Sequence, residues 1–239
     1  MAGNRLIASA TDQARKPVPL LISDRARRPA IIVAICSAVV LAVGGAFAAG
    51  RSEGNAIDRH IDPWLIQHLQ THVNGMNQIA DLGNPTPLVA LTIIVVLSCL
   101  VVRRVNGAIL AVLSVPVASG LTEFVFKPIV HETIGHPAIL SYPSGHSTNV
   151  CTLAAVVAVL MINPPYRRLH PVLRLVVAVL AVLVAVVVMV CLVAIQFHYF
   201  TDTVGGACVA AGTVLCIALL LDAPAARARM ARWSFRSGA

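Results

Sequence analysis

Charge is scarce in this chain. Asp, Glu, Lys and Arg make up 12% of its 239 residues, against roughly 25% in an ordinary soluble domain, and that shortage excludes a water-exposed globule. The cysteines offer neither a redox nor a metal framework. Cys36, Cys99, Cys151, Cys191, Cys208 and Cys216 all fall inside apolar runs, and no CxxC pair occurs. They read as small buried hydrophobes, with no disulfide scaffold or zinc site. Internal repeats are absent, and the apolar runs are almost free of polar side chains apart from Thr122, Glu123 and scattered Ser or Thr. That last deficit argues against a transporter or channel, whose polar residues would recur along several spans.

What remains is hydrocarbon. Hydrophobic residues make up 58% of the chain and the mean hydropathy is +0.83, which predicts an integral membrane protein. Apolar runs stand at Pro29 to Ala49, Pro87 to Val102, Val105 to Phe126, Ser147 to Ile162, Pro171 to Ile195 and Val204 to Leu221. Most reach the ~17–25 residues that cross a bilayer as helix. The second and fourth are short and rely on flanking turns or local thinning. The expected fold is an all-α polytopic bundle of six transmembrane helices, with five spans or a re-entrant segment as the main rival. Between Asp58 and Val73, Ile61, Trp64, Leu65 and Leu69 recur at helical spacing, which adds an interfacial helix over one mouth of the bundle.

Basic residues set the orientation. Six spans place fifteen of the eighteen Lys and Arg on one side, leaving Arg51, Arg59 and Lys127 on the other. Lys and Arg are retained in the cytoplasm, so both termini are expected there, in basic tails over residues 1–28 and 223–239 flanking a membrane domain over residues 29–222. The net charge of +8 is thereby explained by topology, and nucleic acid is not an expected partner. A cleaved signal peptide ending at "AFAAG" is the rival reading of the first run; a retained helix makes the charge pattern consistent.

The less basic side holds most of the histidines: His60, His68, His72, His131, His136, His146 and His198, with His170 alone opposite. His60, His68 and His72 read as solvated. In "SYPSGHSTNV" Gly145 permits close backbone approach, and a helix starting near Ser147 leaves free N–H groups that favour an anion. His146 at that point transfers protons near neutral pH. A plain turn with Ser147 as helix cap is the bland alternative. In "QFHYFTDTVGG" His198 and Asp202 are four residues apart and share a face if the turn is helical. A carboxylate that holds one imidazole nitrogen as N–H leaves the other free to attack.

Together with Lys127 in "FVFKPIVHETIGHP", these residues resemble the type 2 phosphatidic acid phosphatase superfamily, the integral-membrane lipid phosphate phosphatases. The resemblance spans most of the chain. It implies that His198 is the nucleophile forming a phosphohistidine, Asp202 its orienting partner and His146 the general acid. Lys127, Ser144 and Gly145 would hold the phosphate. No cofactor or metal is implied; His131, Glu132 and His136 make a poor zinc set. Both motif arginines are missing: Ile134 and Gly135 stand where Arg-Pro follows the lysine, and Cys191 and Leu192 stand where Ser-Arg opens the third motif. His136, in the nearest basic-Pro pair, is the substitute candidate for binding substrate. Glu132 is expected to repel phosphate by like charge unless it is paired, and an arginine at Glu132 or Leu192 is expected to strengthen the cradle.

The resulting expectation is a membrane phosphatase acting on a lipid phosphate or polyprenyl diphosphate at the extracytoplasmic face of a bacterial plasma membrane. The alternative is a catalytically degenerate lipid-headgroup binder or assembly partner of the same fold. Membrane lipids are its surroundings, and a homo-oligomer is left open.

Overall fold

In hydrocarbon a backbone has no water to bond, so apolar runs close their hydrogen bonds within helices. The computed structural model describes residues 20–69, 73–135, 138–162 and 169–237, with side chains as far as residue 223. In chain order the elements are α1 (Asp24–Ala48), α2 (Asp58–Leu69), α3 (Val73–Ala80) and α4 (Pro85–Val101). There follow α5 (Val105–Val130), β1 (Thr133–Ile134), β2 (Ile139–Leu140), α6 (Gly145–Ile162), α7 (Pro171–Ala194) and α8 (Phe200–Ser237).

Five helices are long and apolar enough to cross a membrane: α1, α5, α6, α7 and the Phe200–Ala223 part of α8. The remaining apolar run lies in a bent helix pair. Val73–Gly83 and Pro85–Val101 meet at 55°, because Asn84 precedes Pro85 and is held extended, at φ −68° and ψ 154°. Against six expected crossings the structure has five continuous helices and one bent pair, which makes a sixth crossing if it spans and a re-entrant segment if it turns back.

Helix α8 forms the middle of the bundle and packs on α1, α5, α6 and α7. Leu110, Ala111, Val156, Leu160, Val214 and Ala218 form one apolar cluster where α5, α6 and α8 meet. A second joins Ala80, Val150, Ala154, Ala185, Val188 and Leu192. Outward-facing Val, Ile and Leu on α1 and α7, such as Ile32 at 60% exposed and Leu180 at 54%, suit lipid contact.

Two local features shape the site end. Leu121–Phe126 is a π turn within α5, next to Pro128, which has no N–H to continue the ladder. Beyond α5, β1 and β2 pair antiparallel with Thr133 opposite Leu140, and the Thr133 N–H bonds the Arg51 carbonyl at 2.9 Å.

Candidate active site

Helix α6 begins at the polar decapeptide. Ser144 caps it: Ser144 Oγ accepts from the Ser147 N–H at 3.2 Å and Ser144 O from the Thr148 N–H at 2.9 Å. The cap is thus Ser144 and not Ser147. Its hydroxyl is fully buried and engaged with its own helix, while Gly145 and His146 occupy the first turn, where N–H groups lack intrahelical acceptors. The Ser144 N–H bonds the Asp202 carbonyl at 3.0 Å, and a Cβ on Gly206 would stand 2.6 Å from Ser144 O. Only glycine lets α8 come this close to the loop.

His198 lies between α7 and α8. Its Nδ1 is 3.3 Å from Asp202 Oδ2, a long hydrogen bond of the kind that tightens when a site is occupied. Burial, followed by the positive charge of Lys127, pushes the His198 imidazole down to about 3, so it is neutral. The neutral ring donates from Nδ1 to Asp202 and keeps a lone pair on Nε2. The His146 ring is 6.3 Å from that of His198, and Phe197 stands edge-on to both, at 5.1 and 5.3 Å.

Asn84 is a partner that spacing gave no hint of. His146 Nε2 is 2.8 Å from Asn84 Oδ1, while Asn84 Nδ2 donates to Asp81 Oδ1 at 2.9 Å. That second bond fixes the amide orientation, so His146 donates from Nε2 to Asn84. The bend at Pro85 is what presents Asn84 to α6. Asp58 and Asp62 on α2 were equally unforeseen. Asp58 accepts from the Thr201 N–H and hydroxyl, both at 2.9 Å, and Asp62 from the Phe200 N–H at 3.2 Å. With Asp202 reaching back to the Tyr199 N–H at 3.1 Å, three carboxylates cap the first turn of α8. Burial, reinforced by Asp58, pushes Asp62 up to about 7.

Lys127 is not free. Its Nζ lies 2.8 and 2.9 Å from the two carboxylate oxygens of Glu123, one turn earlier in the π segment. A Cβ on Gly145 would stand 2.6 Å from Glu123 Oε1 and 3.8 Å from Lys127 Nζ. A side-chain anion therefore rests against the start of α6 and on Lys127, where the sequence leads one to expect a phosphate.

Glu132 departs from expectation. It is fully buried, with Ser141 Oγ donating to Oε2 at 3.3 Å and the Ser141 N–H to its carbonyl at 2.9 Å. Burial, then Asp202, pushes its carboxyl up to about 10. A neutral Glu132 behind Asp202 does not repel phosphate, and an arginine there would bury a charge. Leu192 is likewise wholly buried in the α6–α7 apolar cluster, so an arginine at that position would enter a core and not a cradle. His131 is exposed, with φ 54°, at the end of α5. His60 and His68 are exposed on α2, as expected for solvated side chains. His72 and His136 lie outside the described residues. Among the described residues no three His, Cys, Asp or Glu side chains cluster to hold a metal ion.

The model of the PAP2 superfamily matches residues 110–225, the stretch that carries Lys127, Ser144 to His146, His198 and Asp202. Among solved structures, the chain is similar to a transmembrane PAP2 type phosphatidylglycerolphosphate phosphatase from Bacillus subtilis. The TM-score is 0.64 at 19% identity, over 80% of this chain and 96% of that one. No curated protein matches the sequence. At that identity the structural likeness concerns the fold.

Proposed function

We propose that this membrane protein, whose residues 110–225 match the model of the PAP2 superfamily, hydrolyses a lipid phosphate or polyprenyl diphosphate through a phosphohistidine intermediate. The observation that carries the reading is a neutral, carboxylate-backed His198 whose ring lies 6.3 Å from that of His146, beside Lys127. His198 Nε2 attacks phosphorus with its lone pair, and the phosphorus–oxygen bond to the lipid breaks. The leaving oxygen takes a proton from His146. With Nε2–H held on Asn84, Nδ1 is the nitrogen left to carry that proton. Water then attacks the phosphohistidine, gives its proton to His146, and inorganic phosphate departs as the phosphorus–nitrogen bond breaks. Lys127 and the first-turn N–H groups of Gly145 and His146 take the equatorial charge, Ser144 shapes that turn, and His136 is a candidate further donor.

A lipid leaving group is supported by an apolar cavity of about 240 Å³ lined by Leu82, Leu88, Val150, Val157, Leu180 and Ala185. Val150 is one helical turn along α6 from His146, so a chain leaving the reaction centre has hydrocarbon to enter. The asymmetry of basic residues supports cytoplasmic tails over residues 1–28 and 223–239 and an extracytoplasmic site, in a bacterial plasma membrane.

One observation favours a second reading, a headgroup binder or assembly partner without turnover: the Lys127 charge is already engaged by Glu123, and neither motif arginine is present. The deciding experiment is phosphate release by purified protein from phosphatidic acid, polyprenyl diphosphate and phosphatidylglycerolphosphate. His198→Ala should abolish release, and Asp202→Asn should slow it by roughly 10³–10⁴-fold, as loss of an orienting carboxylate does in other triads. Equal release by His198→Ala would overturn the mechanism. No release by the natural chain, with vesicle binding retained, would favour the binder.

A further inference from the structure

Two buried oxygens at the back of the site lack a hydrogen-bond donor. Asp202 uses Oδ2 for His198 Nδ1 and the Tyr199 N–H, leaving Oδ1 without one; Glu132 uses Oε2 for Ser141, leaving Oε1 without one. Both side chains are fully buried, and their carboxyl groups are close enough to hydrogen-bond each other. Two carboxylates cannot both be ionised in such a place, since each would face a like charge with no water to screen it. One proton placed between them satisfies both orphan oxygens.

The neighbours decide which side keeps it. Asp202 receives two N–H donors and sits in the first turn of α8, and both features favour its charge. Glu132 receives only the Ser141 hydroxyl. We propose that Glu132 is a protonated positioning residue, donating through Oε1 to Asp202 Oδ1 so that Asp202 keeps its charge and its orientation toward His198. This rests on the reading of His198 as nucleophile. Burial and Asp202 raise Glu132 to about 10, consistent with a carboxyl that stays neutral through the working range. The other titratable groups around it are Asp58 on α2, Tyr142 before α6 and Tyr199 before α8; Arg51, whose carbonyl bonds Thr133, is exposed.

The donor stands within the Lys127 segment "FVFKPIVHETIGHP", at a position to which the family resemblance gives no role. Glu132 lies between α5 and the short hairpin, and Ser141 closes that hairpin onto it. The hairpin thus acts as the back support of the His198–Asp202 pair, a task for which its two short strands would otherwise be hard to explain.

Glu132→Gln and Glu132→Leu test this. Glutamine keeps a donor for Asp202 and an acceptor for Ser141, whereas leucine removes both. Glu132→Gln should stay within about threefold of the natural kcat, and Glu132→Leu should lose roughly 10- to 100-fold in kcat, the effect of stranding a buried carboxylate oxygen, with KM little changed. Infrared difference spectroscopy at pH 8, above the range in which Asp62 holds a proton, should show a protonated-carboxyl carbonyl band that Glu132→Gln removes. The native state keeps a proton that the unfolded chain releases near 4.5, so stability should fall as pH rises from about 4.5 toward about 10. Glu132→Gln should flatten that slope.

A band unchanged in Glu132→Gln would overturn the inference, as would a folded Glu132→Gln as impaired as Glu132→Leu. If Glu132→Leu does not fold, the band and the pH slope of Glu132→Gln still decide. If no variant and not even the natural chain releases phosphate, the phosphatase reading fails, while the band and the slope still report on the shared proton.

Discussion

Glu123 and Lys127 bring opposite charges to the proposed phosphate site. Their ion pair is half-open, with Lys127 14% and Glu123 45% exposed, so solvent screening limits its strength to the ~0–1 kcal/mol of surface pairs. A phosphate carrying two charges can displace Glu123, but must then share the site with a like charge. Glu123→Gln should therefore lower KM for a lipid phosphate by roughly fivefold, equivalent to about 1 kcal/mol, with kcat changed less. Steady-state kinetics over a substrate series check this; a raised KM would mean that Glu123 recognises a cationic group on the substrate. At this scale the sequence was partly readable. His146, His198, Asp202 and Lys127 are brought to one end of the bundle, since their motifs carry their own local geometry. Asn84, Glu123, Asp58 and Asp62 were not readable as site residues, because what makes them partners is the meeting of segments distant in the chain. Glu132 was visible as an acid near the site, yet its charge state depends on burial that no local spacing encodes.

The junction between α7 and α8 decides where His198 stands. Helix α7 ends in a Schellman motif: the Phe197 N–H bonds Leu192 O and the Gln196 N–H bonds Val193 O, both at 2.9 Å. Gln196 takes the left-handed conformation at φ 60°, a position that usually falls to glycine. Two residues later His198 emerges, and α8 starts at once under its cap of three carboxylates. Gln196→Gly should relieve strain of up to about 1 kcal/mol, and Gln196→Val should add to it. Denaturant titration in detergent measures both; a loss of stability in Gln196→Gly would show that the side chain, not the backbone, matters there. The expected helical turn from His198 to Asp202 is accordingly a cap-to-helix transition, which preserves the contact while placing His198 ahead of the first helical residue. Apolar runs marked the helices well, whereas the Asn84 bend arises at Pro85, which stands just ahead of the second run.

Across the whole bundle, the end opposite the site is closed by one side chain. Asp222, 2% exposed near the end of the apolar part of α8, accepts from the Leu21 N–H at 2.9 Å and the Ile22 N–H at 2.8 Å. Leu21 and Ile22 are buried in the same apolar cluster as Val214 and Ala218. Asp222→Ala strands two buried N–H groups, and at ~1–3 kcal/mol for each unsatisfied donor it should lower stability by roughly 2–6 kcal/mol. Asp222→Asn, which keeps one acceptor, should lose about half as much. Thermal unfolding in detergent tests the pair, and equal stability of Asp222→Ala would show that water replaces the carboxylate. Helix α1 faces mostly outward, with only 11% of its most apolar window buried.

The latch also orders events in time. Leu21 and Ile22 leave the ribosome first, and Asp222 follows about 200 residues later. At 5–20 residues per second the interval is roughly 10–40 s. Until then α1 stands in the bilayer without its main packing surface, and the latch closes only when Asp222 arrives.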